Sequence, residues 1–465
     1  MADVLKIFNP CNNELVGAAS LSSAPEVEEM VQKAVEVQVE WERAPLWERS
    51  EVLYKFIDLV QENQKDLAVT LCRETGKPIR EACLEAGNCV GISRGFVERA
   101  NHLYGDVFPT DNKPGFERDL IFTRREPLGV VACVVPFNYP LELFVQKVIP
   151  ALVMGNSVIA KVPTANPLAA LKMSALFAQA GAPANLVQTM ACAREVYTEH
   201  LLKNKAVAAI SLTGSSRAGV EMALCAAPTL KNLMLELGGN DGNIIRQDAD
   251  LDYAVREMIA GRIFNAGQTC CACKRFIVHR SIKDDLTEKL IAALKKLKIG
   301  DAMDPEVDLA AVISEDKARE VIEQVELTIA QGARCVYGGT RNGAFVTPTV
   351  LADVDKSMDI ASDLEIFGPV FPIIPYDTDE EALEIINNCS YGLSSGIITR
   401  DLSAALRLAA KIKAGACVVN GQSNYRHPEQ PFGGYKMTGI GREGTVCTLE
   451  EMSQVKSIIA KGILG

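Results

Sequence analysis

The apolar positions make the first division of the chain. Over residues 24–104 they recur at helical spacing. The stretch "SAPEVEEMVQKAVEVQVEW" opens on Ser23, a residue suited to capping a helix, and "APLWERSEVLYKFIDLVQENQKDLAVTLCRETG" continues the pattern. Near residue 118 the texture changes. "DLIFTRREPLGVVACVVPF" is rich in β-branched residues and is broken by Pro127 and Gly129, which predicts strands. Strand-like runs then alternate with helical ones: "NSVIAKV", "NPLAALKMSALFAQAG", "AVAAISLTG", "SRAGVEMALCAA" and "NLMLELGG". That alternation predicts an α/β layer with a mainly parallel sheet. A second series follows. "DADLDYAVREMIAGRIFNAG", "SIKDDLTEKLIAALKKLKIG" and "EDKAREVIEQVELTIAQG" predict helices; "KRFIVHR", "PVFPIIPY", "LSSGIITR" and "ACVVNG" predict strands. Two α/β domains meeting near residue 240 are expected.

Composition narrows the function classes. The 465 residues are 48% hydrophobic, enough for two or three cores. The net charge is −11, and the basic footprint that nucleic-acid binding needs is absent. No apolar run is long enough to span a membrane. The start, "MADVLKIFNPCNNE", has no basic region followed by an apolar one, so a cytoplasmic protein is expected. Fourteen cysteines spread over such a chain are expected to be reduced thiols.

Four stretches could carry chemistry. In "SLTGSSRAG" a strand runs into a turn at Gly214 and Ser215 and then into a helix, which offers free N–H groups to a phosphate. An ordinary strand-to-helix turn would look the same, because the spacing is not that of a dinucleotide fingerprint. Lys161 ends the strand "NSVIAKV", where nucleotides bind in open α/β sheets, although a surface lysine is the plainer reading. Glu236 in "LELGGN" could hold a ribose, act as a general base or decorate a turn. In "GQTCCACKR", Cys270, Cys271 and Cys273 could be metal ligands, a redox pair or one nucleophile with two bystanders. A metal site would need a second ligand pair, and the four histidines are scattered. No metal is expected.

Taken together, the motifs resemble the aldehyde dehydrogenase superfamily over essentially the whole chain. "PFNYP", "AKVPTANP", "LTGSSRAG", "ELGGN", "FNAGQTC", "EIFGPV" and "PFGGYKMTGIGRE" stand in family order, with Cys270 34 positions after Glu236. The resemblance implies two Rossmann-like parallel-sheet α/β domains plus a small β oligomerisation arm. It divides the chain into a cofactor domain (1–111 and 127–240), a catalytic domain (241–432), an arm (112–126 with 453–463) and a return to the cofactor domain (433–452). It implies Cys270 as nucleophile, Glu236 as the base for the deacylating water, and Asn138 with the Cys270 N–H as oxyanion donors. Lys161 would hold the adenosine ribose, Gly214 and Ser215 the pyrophosphate, and Pro136, Glu365 and Phe367 the nicotinamide end. Cys271 is expected to point away from the site and Cys273 to pack.

Departures from the family pattern refine these expectations. Thr164 stands where strictly NAD-using relatives often carry Glu, and a threonine would not repel a 2′-phosphate. NADP or NAD is therefore the expected cofactor, with NADP accepted. Glu236 argues for water rather than coenzyme A as acyl acceptor. The intact set of Cys270, Glu236, Asn138 and Lys161 argues against a non-catalytic protein that keeps the fold. Arg426 and Gln146 replace common apolar residues beside Phe432 and imply a pocket for a polar or anionic aldehyde. The alternative is that Arg426 only pairs with a nearby acid such as Glu429. A homodimer or homotetramer is expected, with an aldehyde as the small-molecule partner.

Overall fold

The computed structural model describes residues 4–464. A hairpin, Val4–Phe8 with Leu15–Ser20, precedes four helices: Ala24–Trp41, Leu46–Glu62, Gln64–Thr75 and Ile79–Ala100. The first begins as its sequence predicts, since Glu26 accepts the Ser23 backbone N–H at 2.7 Å and closes a capping box. Its inner face is fixed by polar as well as apolar groups. Trp41 Nε1 donates to the Leu152 carbonyl (2.9 Å), and Gln38 donates to the Gly155 carbonyl (3.0 Å).

The helices lie against a six-stranded sheet. Its order is Val187–Met190, Ser157–Lys161, Val130–Val134, Val207–Thr213, Asn232–Glu236 and Gly439–Ile440, parallel except for the last. In chain order the five parallel strands read 3-2-1-4-5, the doubly wound arrangement, so the direction of winding reverses between Val130–Val134 and Val207–Thr213. Beyond the carboxyl ends of these strands lie Lys161, Gly214, Asn138 and Glu236. All were motif residues in the sequence, and one edge of the sheet gathers them.

The chain then crosses over residues 237–241 into a seven-stranded sheet: Arg334–Tyr337, Thr349–Ala352, Val370–Tyr376, Arg275–His279, Gly242–Ile245, Ser395–Ile398 and Val418–Val419. Only Arg334–Tyr337 is antiparallel. Cys270 sits on the loop that feeds Arg275–His279. Each sheet has its own apolar core, one centred on residues such as Phe56, Phe144 and Val158, the other on Phe276, Phe371 and Tyr376. A third sheet joins Val107–Phe108, Leu120–Pro127 and Ser453–Ala460, the last two antiparallel over eight paired positions. Among the described residues no helix is long and apolar enough to cross a membrane.

Candidate active site

The Cys270 loop is built from an unusual backbone. The helix Leu251–Ile263 ends, and Asn265, Ala266 and Gly267 all follow with positive φ (50°, 53° and 78°). Non-glycine residues avoid this region, so the loop holds strain that its surroundings must secure. They do so with buried hydrogen bonds. Glu81 accepts the Asn265 N–H (2.7 Å), Asn265 Nδ2 donates to the Asn138 carbonyl (3.0 Å), and Gln268 accepts the Ile313 N–H (2.9 Å). Gly267 must be glycine for a second reason: a Cβ there would meet the Gly368 carbonyl oxygen at 2.5 Å.

Asn138 is tied to this loop from the other sheet. Its Nδ2 donates to the Gln268 carbonyl (2.9 Å), and its own carbonyl also accepts Lys77 Nζ (2.9 Å). Lys77 is itself buried, paired with Glu85 and 3.9 Å from the centre of the Tyr139 ring. One Asn138 N–H is thus committed to Gln268, and the amide has a second to give.

Glu236 closes the strand Asn232–Glu236. It is 5% exposed, and neither carboxyl oxygen has a hydrogen-bond partner. Burial pushes the carboxyl well above its usual range, and the facing Cys270 and Glu443 push the same way. The Cys270 thiol is also held well above its usual range, by the adjacent Cys271 thiol and by burial, while Lys274 acts in favour of the thiolate. Cys271 was expected to point away. Instead it lies beside Cys270, donates to Asn424 Oδ1 (3.3 Å) and packs with Leu393 and Phe432. The reason is local: residues 270 and 271 are in a turn, so the alternation of a strand does not apply. Cys273 is fully buried and accepts from the Ser423 hydroxyl (3.3 Å).

Beyond the thiols lies a polar wall. Arg426 stacks 4.1 Å from the centre of the Phe432 ring, and its guanidinium donates to Gln146 (2.9 Å) and Glu443 (3.2 Å). Glu443 also pairs with Lys147 (3.1 Å), which is 2% exposed. The acid partner of Arg426 is therefore Glu443 and not Glu429. The backbone pairing of Phe432 with Glu443 brings them together, with two N–H···O bonds of 2.6 Å. A small cavity of ≈ 20 Å³ lies here, room for about one water molecule, lined by Gln146, Lys147, Glu236, Phe432, Glu443 and Glu451.

On the sheet edge, Ser215 caps the helix Ser216–Ala226 and leaves its first turn open. Lys161 lies against the Tyr197 ring, 5.3 Å from its centre, and burial lowers its pKa. Glu365 accepts the Gly239 N–H (3.0 Å) and pairs with Lys274 (3.2 Å). A Cβ at Gly238 would come within 2.6 Å of Glu365 Oε2. Phe367 is 6.5 Å from Phe137, centre to centre, and Pro136 and Thr164 are half-buried on the same side.

The aldehyde dehydrogenase family profile matches residues 2–458. The chain belongs to the aldehyde dehydrogenase family. It is an oxidoreductase acting on aldehydes. A lactaldehyde dehydrogenase from Methanococcus aeolicus is 31% identical over 98% of this chain and 97% of its own. A 3-sulfolactaldehyde dehydrogenase from Priestia aryabhattai is 36% identical over 89% and 86%. The structure of glyceraldehyde-3-phosphate dehydrogenase from Methanocaldococcus jannaschii, solved with NADP, superposes with a TM-score of 0.94 at 33% identity, covering 99% of both chains.

Several site residues of this family member went unnoticed in its sequence. Lys147 and Glu443 are a buried pair 296 positions apart, and Lys77 and Glu81 reach the site from the helical segment. Only Lys274 had a local signal, a charge placed between the nucleophile and an apolar strand run.

Proposed function

We propose that this enzyme oxidises a small polar or anionic aldehyde to its carboxylic acid, with NADP or NAD accepting the hydride. The observation that carries the reading is the juxtaposition of Cys270, buried and unpaired Glu236, and Arg426, with the thiol and the guanidinium both within electrostatic reach of Glu236. The cofactor fits the sheet edge. Lys161 makes no ion pair or hydrogen bond among the described residues, and no carboxylate contributes to its pKa shift. A 2′-phosphate would thus meet a free cation and Thr164 rather than an acid. Gly214, Ser215 and the open turn of the helix would hold the pyrophosphate. Glu365 would hold the nicotinamide ribose, flanked by Phe367 and Pro136.

The Cys270 thiol gives its proton to solvent water, and Sγ bonds to the aldehyde carbon. The carbonyl electron pair moves to oxygen, where Asn138 and the Cys270 N–H donate to it. When bound, the cofactor supplies the acceptor for the hydride that leaves this carbon. A thioester on Cys270 remains. Glu236 takes a proton from water as the water oxygen bonds to the thioester carbon, and the C–S bond breaks to release the acid. Because both the thiol and Glu236 sit above their usual ranges, activity should climb as the pH rises above neutral.

The substrate wall carries Lys147, Glu443 and Arg426, one anion between two cations, and burial holds Glu236, Glu142 and Glu451 toward their neutral forms. The surplus positive charge suits an anionic tail. Two of the relatives above are named for a sulfonated and a phosphorylated aldehyde. The strand Ser453–Ala460 edges its sheet and exposes Val455 (60%) and Ile459 (63%), which supports docking of a second copy there and a homodimer or homotetramer. The test is NAD(P)H formation with a panel of short neutral and anionic aldehydes. Arg426→Ala should raise KM for anionic aldehydes about tenfold or more and leave propanal nearly unchanged. Equal effects on both classes would sink the anion pocket.

A further inference from the structure

Lys274 is 2% exposed, one position before the strand Arg275–His279 and four after the nucleophile. An ammonium has three N–H bonds and no acceptor. Here it donates to the Thr269 carbonyl (2.9 Å) and the Cys270 carbonyl and forms an ion pair with Glu365 Oε1 (3.2 Å). The Phe367 ring adds a face, with Nζ 5.1 Å from its centre. Two of the oxygens belong to the nucleophile loop. The third lies 91 positions further along the chain, on the segment placed beside the nicotinamide.

We propose that Lys274 is a positioning residue that joins the two halves of the reaction: one buried ammonium holds the Thr269 and Cys270 carbonyls against the Glu365 carboxylate. The inference rests on the reading of Cys270 as nucleophile and Glu365 as the nicotinamide-side acid. Its consequence is that the thiol and the cofactor side share a single charge. Any change that draws Glu365 away from Lys274 strengthens the field of the ammonium at the thiol, and any change that draws it closer weakens that field.

The surroundings leave few other groups to do this. Asp241, from the loop after Glu236, lies within the field of the ammonium and accepts the Ser394 N–H (3.1 Å). Arg275, the next residue, spends its guanidinium on the carbonyls of Asn240, Ala361, Ile385 and Ile386. Around the thiol itself stand Cys271, Glu236 and Lys274, and Lys274 is the cation among them.

The test is the pH dependence of Cys270 alkylation by iodoacetamide, followed by peptide mass spectrometry on the full chain. It reads the thiol directly and needs no turnover. Lys274→Met should move the midpoint up by about one pH unit, which is roughly tenfold slower alkylation at neutral pH. Glu365→Gln should move it down, because the ammonium is no longer neutralised. A purely structural lysine would give no such opposed shifts. If Lys274→Met does not fold, as judged by circular dichroism, Glu365→Gln decides alone. A midpoint that stays put or rises in Glu365→Gln overturns the proposal, as does an unmoved midpoint in folded Lys274→Met. The underlying reading fails separately, if Cys270→Ser still forms NAD(P)H.

Discussion

Cys270 and Cys271 are neighbours in sequence and in space, yet their surroundings differ. Cys270 faces Glu236, whereas Cys271 donates to Asn424 and packs on Phe432. Its proximity is the largest influence holding the Cys270 thiol protonated. Cys270→Ser should therefore abolish turnover, since a serine hydroxyl is a far weaker nucleophile. Cys271→Ala should keep most of kcat and move the alkaline rise of kcat/KM to lower pH. A pH–rate profile checks both, and a Cys271→Ala rise displaced to higher pH would refute the account. At this scale the motifs led to residues that the fold gathers at one sheet edge and the loop facing it, Cys270, Glu236, Asn138 and Lys161. The sequence was silent where a partner is fixed by long-range folding. Glu429 lies three positions after Arg426, yet the backbone pairing of Phe432 and Glu443 delivers the acid from 17 positions away.

At the scale of elements, legibility followed amphipathicity. The helix Ala24–Trp41 has a dry and a wet face, and its pattern shows it. The helix Glu142–Val153 carries Gln146 and Lys147 into the pocket, but eleven of its twelve residues are buried, so no polar face marks it. The turn before Cys270 is the opposite case. Its "FNAG" reads as the end of a helix, yet the helix stops at Ile263 and the backbone then passes through three successive left-handed residues. This turn sets the thiol, and Gly267 is its most constrained point. Gly267→Ala would place a Cβ against the Gly368 carbonyl at a φ of 78°. The expected cost is about 1–3 kcal/mol, concentrated in this loop. kcat should drop at least about tenfold, because a shift of an ångström at a nucleophile is costly. Steady-state kinetics with a parallel thermal melt would check this. Unchanged kcat would show that the turn does not position the thiol.

Across the whole molecule, both sheets and the helical layer bury acids near the site. Glu81 and Asp241 are pushed up to about 7, in both cases chiefly by burial, and Glu74, buried at the start of the helix Leu168–Gln179, to about 8. In an unfolded chain these groups titrate near pH 4. The folded protein therefore binds their protons more tightly than the unfolded one. The stability this gives is complete below about pH 4 and is lost as the pH rises through 7 to 8. Carboxyls held below their usual range, such as Asp248 and Asp353, titrate under pH 4 and do not compensate in that window. Thermal midpoints should then fall by roughly 5 °C between about pH 5.5 and pH 8, the reverse of acid-labile behaviour. Glu81→Gln isolates one contributor, because an amide oxygen can still accept the Asn265 N–H but cannot ionise. Its melting curve should fall less steeply with pH than that of the unaltered protein. A midpoint that is flat or rising over this range would contradict the account.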